Sequence, residues 1–421
     1  MLRRINQFLF QNKQFQNFSI YGFGQFFNLV TPLLVAPYII KICGEENFGK
    51  TAVGMAIAFF LIVFVEYGSD INGVRNISLA RNNREDLEKI FFSTYAVKFI
   101  LLLIVLSVSY LLILVIPYFS SEKTLFLLSL TVIVGQFINP TWFLQGVENV
   151  KWITLLNIIS KTIYLIGIFL TIKTTPDYVW VNLWWGSGMI LANSFVVYLI
   201  IRQYKFFNFK VSKQSVLEYL KKDFSIFYSQ IFVSLQMYAP IILVSYFGNN
   251  LMAGQYRIVE QIVVIFKTYI LLFFNFVYPK VCFFLENDYH QGIRNWKIFN
   301  GSNLVFITLC TLLVIYFADD IVLYFNAENT EQLGDVLRIA AFIPFLLAIS
   351  IPLKQLVLGW NFQKFYVRIT TFVVILNLLL IIIILPYYKV EGVFYTLILS
   401  EILAILFYLY CIKNNFLGKK R

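Results

Sequence analysis

The sequence predicts an all-α integral membrane protein with about twelve transmembrane helices. Of its 421 residues, 59% are apolar and only 13% are charged, whereas soluble domains carry about 25% charged residues. Long apolar segments recur along the chain, and crossing a bilayer takes about 20 residues of helix. These segments are continuously apolar rather than alternating, which favours helices over a membrane β-barrel.

Six spans are predicted in each half of the chain. The predicted spans lie near residues 18–40, 51–72, 90–116, 124–144, 153–173, 178–201, 223–247, 253–280, 298–318, 332–358, 367–388 and 391–412. The segments between them alternate in charge. Those on the side of the N-terminus hold 23 of the lysines and arginines, against 5 on the other side. By the positive-inside rule, both termini are expected in the cytoplasm.

Two halves are predicted, residues 1–201 and 223–421, joined by the basic cytoplasmic connector 202–222. A short pattern recurs in both, with Ala-Pro followed by two isoleucines and two glycines: Ala36, Pro37, Gly44 and Gly49, then Ala239, Pro240, Gly248 and Gly254. Because six spans is an even number, the halves are expected to be parallel. The sequence therefore predicts two parallel six-helix bundles around a central cavity that contains the substrate path.

Four segments resemble a known family. They are NLVTPLLVAPYIIKICGEENFGKTAVGMA (28–56), EYGSDINGVRNISLAR (66–81), NPTWFLQGVENVKWITLLNIISK (139–161) and YAPIILVSYFGNNLMAGQYRIVEQI (238–262). The most specific features are Trp142, then Gln145 and Gly146, and Lys151. In this order the segments resemble the Wzx-type O-antigen flippases, polysaccharide transporters of the multidrug/oligosaccharidyl-lipid/polysaccharide superfamily.

The resemblance implies a twelve-helix bundle in the bacterial inner membrane. Its expected substrate is an undecaprenyl-pyrophosphate-linked oligosaccharide, moved from the cytoplasmic to the periplasmic leaflet for O-antigen or a related surface polysaccharide. Expected partners are the bilayer and the polymerase and chain-length machinery of the same pathway. Ion-coupled alternating access is the expected mechanism, and no enzymatic activity is expected.

Six cations fall inside predicted spans and are candidate substrate-binding residues: Lys98, Lys161, Arg257, Lys267, Arg338 and Lys354. Arg257 and Lys267 share one helix face with Glu260, at 100° per residue. Such a stripe is costly in lipid and favours a water-filled cavity with an anionic ligand. A structural Arg257–Glu260 ion pair is the alternative for this stretch. Snorkelling of the side chain to the interface is the general alternative, best suited to Lys354 and Arg338.

Four carboxylates are embedded or nearly so: Glu66, Asp70, Glu260 and Glu401. A titrating acid at the depth of Glu401 or Glu66 could couple transport to a proton gradient. Either residue could instead neutralise a lysine. Trp180, Trp184 and Trp185, near the outer end of the sixth span, are interpreted as an interfacial belt, with sugar stacking as the alternative.

Several function classes are excluded or disfavoured. The net charge of +12 lies in short connectors rather than in a nucleic-acid-binding patch. The four cysteines are widely spaced and His290 is the only histidine, so no metal site and no cofactor is predicted. A drug or ion antiporter of the same superfamily remains the nearest alternative, and a membrane-embedded glycan polymerase a more distant one.

The charge asymmetry generates a topology prediction. Reporter fusions after residues 120, 250, 325 and 389 should read periplasmic, and fusions after 82, 210, 290 and 362 should read cytoplasmic, because the lysine-rich and arginine-rich segments stay inside. Paired alkaline phosphatase and fluorescent protein fusions measure this. An inverted reading in either half would contradict the parallel duplication.

Overall fold

The computed structural model describes residues 13–207, 213–360 and 362–418. Every regular element in these ranges is a helix. Residues 208–212 of the predicted basic connector lie outside the described residues, as do the predicted cytoplasmic ends at 1–12 and 419–421. The chain divides into two compact units, which comprise residues 1–44 with 51–238, and residues 45–50 with 239–421. The division at 202–222 into two equivalent bundles stays a prediction.

The first unit is built from long helices linked by short helical turns. Its helices are Lys13–Cys43, most of Glu45–Glu66, the π-helix Ser69–Gly73, Val74–Ala80, Arg84–Val115, Pro117–Ser120, Lys123–Ile138, Thr141–Gly146, Val150–Thr171, the 3₁₀-helix Thr175–Trp180, Val181–Tyr204 and the first part of Lys213–Phe247.

The second unit has the same character. It contains the end of Lys213–Phe247, then Asn250–Asn287, Tyr289–Tyr316, Ala318–Tyr324, Thr330–Ala340, Phe342–Gly359 and Gln363–Gly418. The last of these is broken at Lys389, where φ is 48° and ψ is −139°. The break falls between the predicted spans 367–388 and 391–412.

Eleven helices within the described ranges are long and apolar enough to cross a membrane. The last of them, Lys364–Asn414, contains the break at Lys389 and so provides two of the predicted spans. Large apolar side chains such as Leu103, Leu111 and Leu170 are exposed along these helices, as expected where the surrounding medium is lipid. The prediction of an all-α membrane protein with about twelve spans is confirmed.

Helix boundaries differ from the prediction around the second span. The sequence predicts a span over 51–72, but the helix begins at Glu45 and ends at Glu66. Tyr67 and Gly68 then adopt φ of 46° and 83°. The π-helix Ser69–Gly73 follows. Glycine adopts a positive φ without strain, so Gly68 permits the helix to break after Glu66. Glu66 therefore lies at the end of a helix.

At one end of the first unit, the structure joins connectors and span ends that are predicted to lie on the same side of the membrane, opposite the N-terminus. Tyr38 Oη donates to Ile172 O at 2.8 Å. Tyr178 Oη donates to Glu122 Oε2 at 2.5 Å. The connectors predicted on the opposite side are also joined, since Arg81 Nη1 donates to Glu148 Oε1 at 2.9 Å. The alternation of the predicted spans is thus reproduced within this unit.

Two of the segments that carry the family resemblance pack against each other in the first unit. The aromatic ring of Trp142 would lie 3.0 Å from a β-carbon added at Gly73, and Ile77 would lie 2.5 Å from one added at Gly146. Trp142 and Ile77 belong to one buried apolar cluster together with Phe91. The glycines of both motifs therefore permit a close contact between the Ser69–Ala80 region and the turn at Thr141–Gly146.

In the second unit, Gly49 and Gly254 bring two helices into backbone contact. A β-carbon on Gly49 would overlap the carbonyl oxygen of Asn250 and lie 2.6 Å from Gly254 N. One on Gly254 would overlap the carbonyl oxygen of Glu45. Close helix approach through small residues is a common packing device in membranes. These two glycines are also the equivalent positions of the sequence repeat.

Gly254→Ala should therefore destabilise the protein, because the added methyl group meets backbone that cannot move aside. Overpacking of this kind costs about 1–3 kcal/mol. Gly301→Ala is the matched control, since a β-carbon there meets nothing within 4 Å. Thermal unfolding of the detergent-purified variants, followed by size-exclusion chromatography, measures the difference. Equal midpoints for the two variants would contradict the assigned contact.

Candidate functional site

Arg257 and Glu260 form an ion pair near the start of the helix Asn250–Asn287. Arg257 Nη1 lies 2.7 Å from Glu260 Oε2, with the side chains 32% and 15% exposed. Tyr256 Oη donates to the other carboxylate oxygen, Glu260 Oε1, at 3.3 Å. The Tyr256 ring stacks on Phe394, with centroids 5.2 Å apart. Glu260 is therefore held by two neighbours, and it fixes the position of a guanidinium that keeps a third of its surface open.

Glu401 interacts with two lysines from different helices. Ser350 Oγ donates to Glu401 Oε2 at 2.8 Å. Lys267 and Lys354 both interact electrostatically with the Glu401 carboxylate. Lys354 Nζ also lies 4.7 Å from the centroid of the Tyr366 ring, a distance at which a cation is attracted to the face of an aromatic ring. Three long helices of the second unit thus converge on one charged group.

A second charged group lies in the first unit, around Lys98. This lysine is 0% exposed, and its ammonium has no hydrogen-bond acceptor among the described residues. It interacts electrostatically with Glu66 and Asp70. Gln136 Nε2 donates to Glu66 Oε1 at 2.6 Å. A buried cation needs such opposite charges nearby, because desolvation without a partner is costly.

Asp70 lies in the π-helix Ser69–Gly73 and is exposed. Gln230 Nε2 donates to both of its carboxylate oxygens, at 2.8 and 2.6 Å. The carboxylate therefore lies at a helix end rather than within an apolar run. π-Helical turns are often found at functional sites.

Lys161 is buried against an aromatic ring. Its Nζ lies 3.1 Å from the centroid of the Trp185 ring, and no described carboxylate forms an ion pair with it. Tyr164 packs edge-on against the same ring at 5.1 Å. The indole N–H of Trp185 is buried and has no acceptor among the described residues. Trp185 therefore differs from the interfacial anchor that its position in the sequence suggests.

Arg338 stands apart from the other candidate cations. It forms ion pairs with Asp319 at 2.6 Å and with Asp335 at 2.8 Å. The pair with Asp319 ties the helix Ala318–Tyr324 to Thr330–Ala340, whereas Asp335 lies in the same helix as Arg338. Two carboxylates neutralise the guanidinium, which accounts for Arg338 without any ligand.

Neutral side chains that the sequence did not identify as candidates bond to the candidate carboxylates. Gln136, Ser350 and Gln230 each bond to one of the candidate carboxylates. The available signal was a polar residue inside an apolar run, as in TVIVGQFI and LLAISIP. Such residues rarely lie in a membrane span without a hydrogen-bonding partner.

Each unit therefore holds its own charged group. The first has Lys98 and Lys161 with Glu66. The second has Arg257, Lys267 and Lys354, with the carboxylates Glu260 and Glu401, so cations outnumber acids there. No group of three or more potential metal ligands occurs among the described residues. The arrangement can attract an anion and can hold or exchange a small cation at a carboxylate.

The chain matches a known protein family. Residues 15–281 match the family described as polysaccharide biosynthesis protein. A protein of Escherichia coli (strain K12) named "Putative O-antigen transporter" is 24% identical over 393 residues, which cover 92% of this chain and 94% of that protein.

Two solved structures share the fold. The lipid II flippase MurJ in an inward closed conformation has a TM-score of 0.75 at 16% identity, covering 93% of this chain and 87% of MurJ. An inward-facing multidrug resistance transporter of the MATE family and MOP superfamily has a TM-score of 0.71 at 16% identity, covering 97% and 99%. The family match spans more than half of the sequence, and the structures agree in the fold. The chain therefore belongs to the polysaccharide biosynthesis protein family, as a multi-pass membrane protein with the fold of the MOP superfamily transporters.

Proposed function

We propose that this protein is a flippase for undecaprenyl-pyrophosphate-linked oligosaccharide repeat units, which it moves from the cytoplasmic to the periplasmic leaflet of the bacterial inner membrane. Its family is that of polysaccharide biosynthesis proteins, and its relative in Escherichia coli bears the name of an O-antigen transporter. These relatives are transport proteins rather than enzymes, as the sequence predicted. Both termini lie in the cytoplasm in this proposal, consistent with the charge asymmetry of the connectors.

The observation that carries the proposal is the excess of cations in the second unit. Arg257, Lys267 and Lys354 are partly exposed and are accompanied by two embedded carboxylates, one bonded to Arg257 and one near both lysines. A diphosphate is an anion that such a group attracts. Coulomb attraction between unit charges about 4 Å apart is about 4 kcal/mol at an effective dielectric constant of 20. Desolvation removes part of that gain.

A drug or ion antiporter of the same superfamily is the nearest alternative function. Export of cationic compounds would require an excess of carboxylates in the embedded site. The described charges of the second unit have the opposite balance, with Glu260 and Glu401 already engaged by cations. The charge balance therefore favours an anionic substrate.

We further propose that Glu66 and Glu401 couple transport to an ion gradient. Each carboxylate lies beside a lysine and accepts a hydrogen bond from a neutral side chain, Gln136 or Ser350. Loss or gain of a proton or a small cation at either carboxylate changes the charge next to that lysine. The substrate-binding cations and the coupling site are thus electrostatically linked within each unit.

Arg257→Glu and Lys267→Glu should each reduce surface polysaccharide at least about tenfold, because losing about 1.4 kcal/mol of attraction corresponds to one decade in affinity. Lys267→Arg should retain most export, since it keeps the charge. The assay is complementation of a strain that lacks its own flippase, with surface polymer normalised to the amount of protein in the membrane.

Lys297→Glu is the matched control, because Lys297 is exposed on another helix of the same unit and has no place in the proposed site. It should export normally. Normal export by both the Arg257→Glu and Lys267→Glu variants would rule out a substrate-binding role for this stretch.

Glu66→Gln and Glu401→Gln should slow gradient-driven flipping in proteoliposomes about tenfold or more while leaving binding of the lipid-linked substrate largely intact. Glutamine can still accept the hydrogen bonds from Gln136 and Ser350 but cannot release a proton. Glu331→Gln, an exposed carboxylate without an ion pair among the described residues, is the control. Full activity with unchanged ion dependence in both variants would show that neither acid takes part in coupling.

A further inference from the structure

A small polar pocket lies in the second unit, and none of the candidate cations and carboxylates described above lines it. Its volume is about 240 Å³. Five polar residues line it: Asn249, Gln255, Gln332, Lys389 and Glu391. Apolar side chains complete the lining, among them Met252 and Val336. A pocket with one apolar wall and several convergent polar groups is the usual form of a small-molecule site.

Three connectors that are far apart in the chain form this pocket. Asn249 precedes the helix Asn250–Asn287, Gln332 lies in the first turn of Thr330–Ala340, and Lys389 lies at the break in Gln363–Gly418. The sequence places all three connectors on the outer side of the membrane. The pocket therefore opens at the end of the second unit that is predicted to be periplasmic.

The break at Lys389 has an unusual backbone. Its φ of 48° lies in the region that favours glycine, yet the residue is a lysine. A strained conformation of this kind persists only where the surrounding structure holds it in place, and such positions cluster at functional sites. The break brings Lys389 and Glu391 into the lining on either side of Val390.

The polar groups of the pocket retain hydrogen-bonding capacity. Asn249 Oδ1 accepts from Met252 N at 2.8 Å, which leaves its amide N–H groups as donors. Gln332 Oε1 accepts from Asn329 Nδ2 at 3.1 Å, and the side-chain N–H groups of Gln332 have no acceptor among the described residues. Lys389 and Glu391 form no ion pair with any described residue. Donors and an acceptor thus line the same small space.

The charge of this lining differs from that of the cation-rich group at Lys267. The lining holds one ammonium and one carboxylate, so its net charge is zero. A simple anion such as a diphosphate is repelled by Glu391, and a simple cation is repelled by Lys389. A neutral ligand rich in hydroxyl groups satisfies both, because each hydroxyl donates and accepts. The volume lies below the range of about 300–1,000 Å³ that is typical of drug-sized ligands. It therefore suits a single sugar ring rather than a whole oligosaccharide.

We propose that this pocket binds one sugar ring of the transported glycan at the predicted periplasmic end of the protein. The proposal rests on the proposed function, since it assumes that the substrate carries a glycan. It assigns recognition of the sugar to the lining of this pocket and recognition of the diphosphate to the cations around Lys267. The apolar wall at Met252 and Val336 would contact the carbon face of the ring.

The test uses the purified full-length protein in nanodiscs. The probe is the repeat-unit oligosaccharide released by mild acid from the lipid carrier of the cell that makes this protein, which therefore lacks the diphosphate. Binding is measured by isothermal titration calorimetry. Gln332→Ala and Lys389→Gly should each weaken binding about five- to tenfold, since a lost hydrogen bond to a charged or buried polar group has about this effect.

Both variants are expected to fold. Gln332 is exposed, and glycine readily adopts the backbone conformation of Lys389. Lys389→Arg, which keeps the cation, should bind like the unchanged protein. Absence of binding to the unchanged protein, or binding unaffected by both the Gln332→Ala and Lys389→Gly changes, would overturn the proposal.

Lys267→Glu separates this proposal from the function on which it rests. It should bind the released oligosaccharide normally, because the probe carries no diphosphate, and yet fail to export polymer. Normal export by Lys267→Glu together with pocket-dependent sugar binding would reject the proposed role of the cations and keep the sugar site. Loss of export by Lys267→Glu, together with no binding of the released oligosaccharide to the unchanged protein, would reject the sugar site and keep the proposed role of the cations.

Discussion

The structure depends on one physical constraint, which is that a charged group within a membrane span must find its partner inside the protein. Lipid does not solvate it, and each unmatched charge or polar group that faces the hydrocarbon costs several kcal/mol. Glu260 is held by Arg257 and Tyr256, Glu401 by Ser350 and the nearby lysines, and Glu66 by Gln136 and Lys98. Each of these three carboxylates thus has neighbours that suit its negative charge.

The embedded cations differ in how far carboxylates neutralise them. Arg338 is neutralised by two carboxylates, as a structural residue would be. Lys161 rests on the Trp185 ring and forms no ion pair with a described carboxylate. Arg257 keeps a third of its surface open beside its partner. Of these three cations, Lys161 is the one without an ion pair among the described residues, which is consistent with the anionic substrate proposed above.

Two helix breaks and one close helix contact lie at the ends of the spans. The break at Lys389, the left-handed residues Tyr67 and Gly68, and the Gly49–Gly254 contact all lie at or near predicted connectors. Backbone that leaves the helical pattern is tolerated in a membrane protein where protein or water surrounds it. The same places supply the polar groups of the small pocket and the π-helix that carries Asp70. Irregular backbone and polar side chains therefore occur together.

The sequence by itself determined the membrane class and the helical spans, and it offered the Arg257–Glu260 pair as one of two interpretations, because apolar length and a spacing of three residues are local properties of a helix. It also indicated which connectors lie together, through their alternating charge. Only the tertiary structure decided that Glu401 lies near Lys267 and Lys354, that Gln136 bonds to Glu66, and that Lys161 rests on Trp185. These partners are 24 to 134 residues apart along the chain, and no local period specifies which faces of distant helices meet.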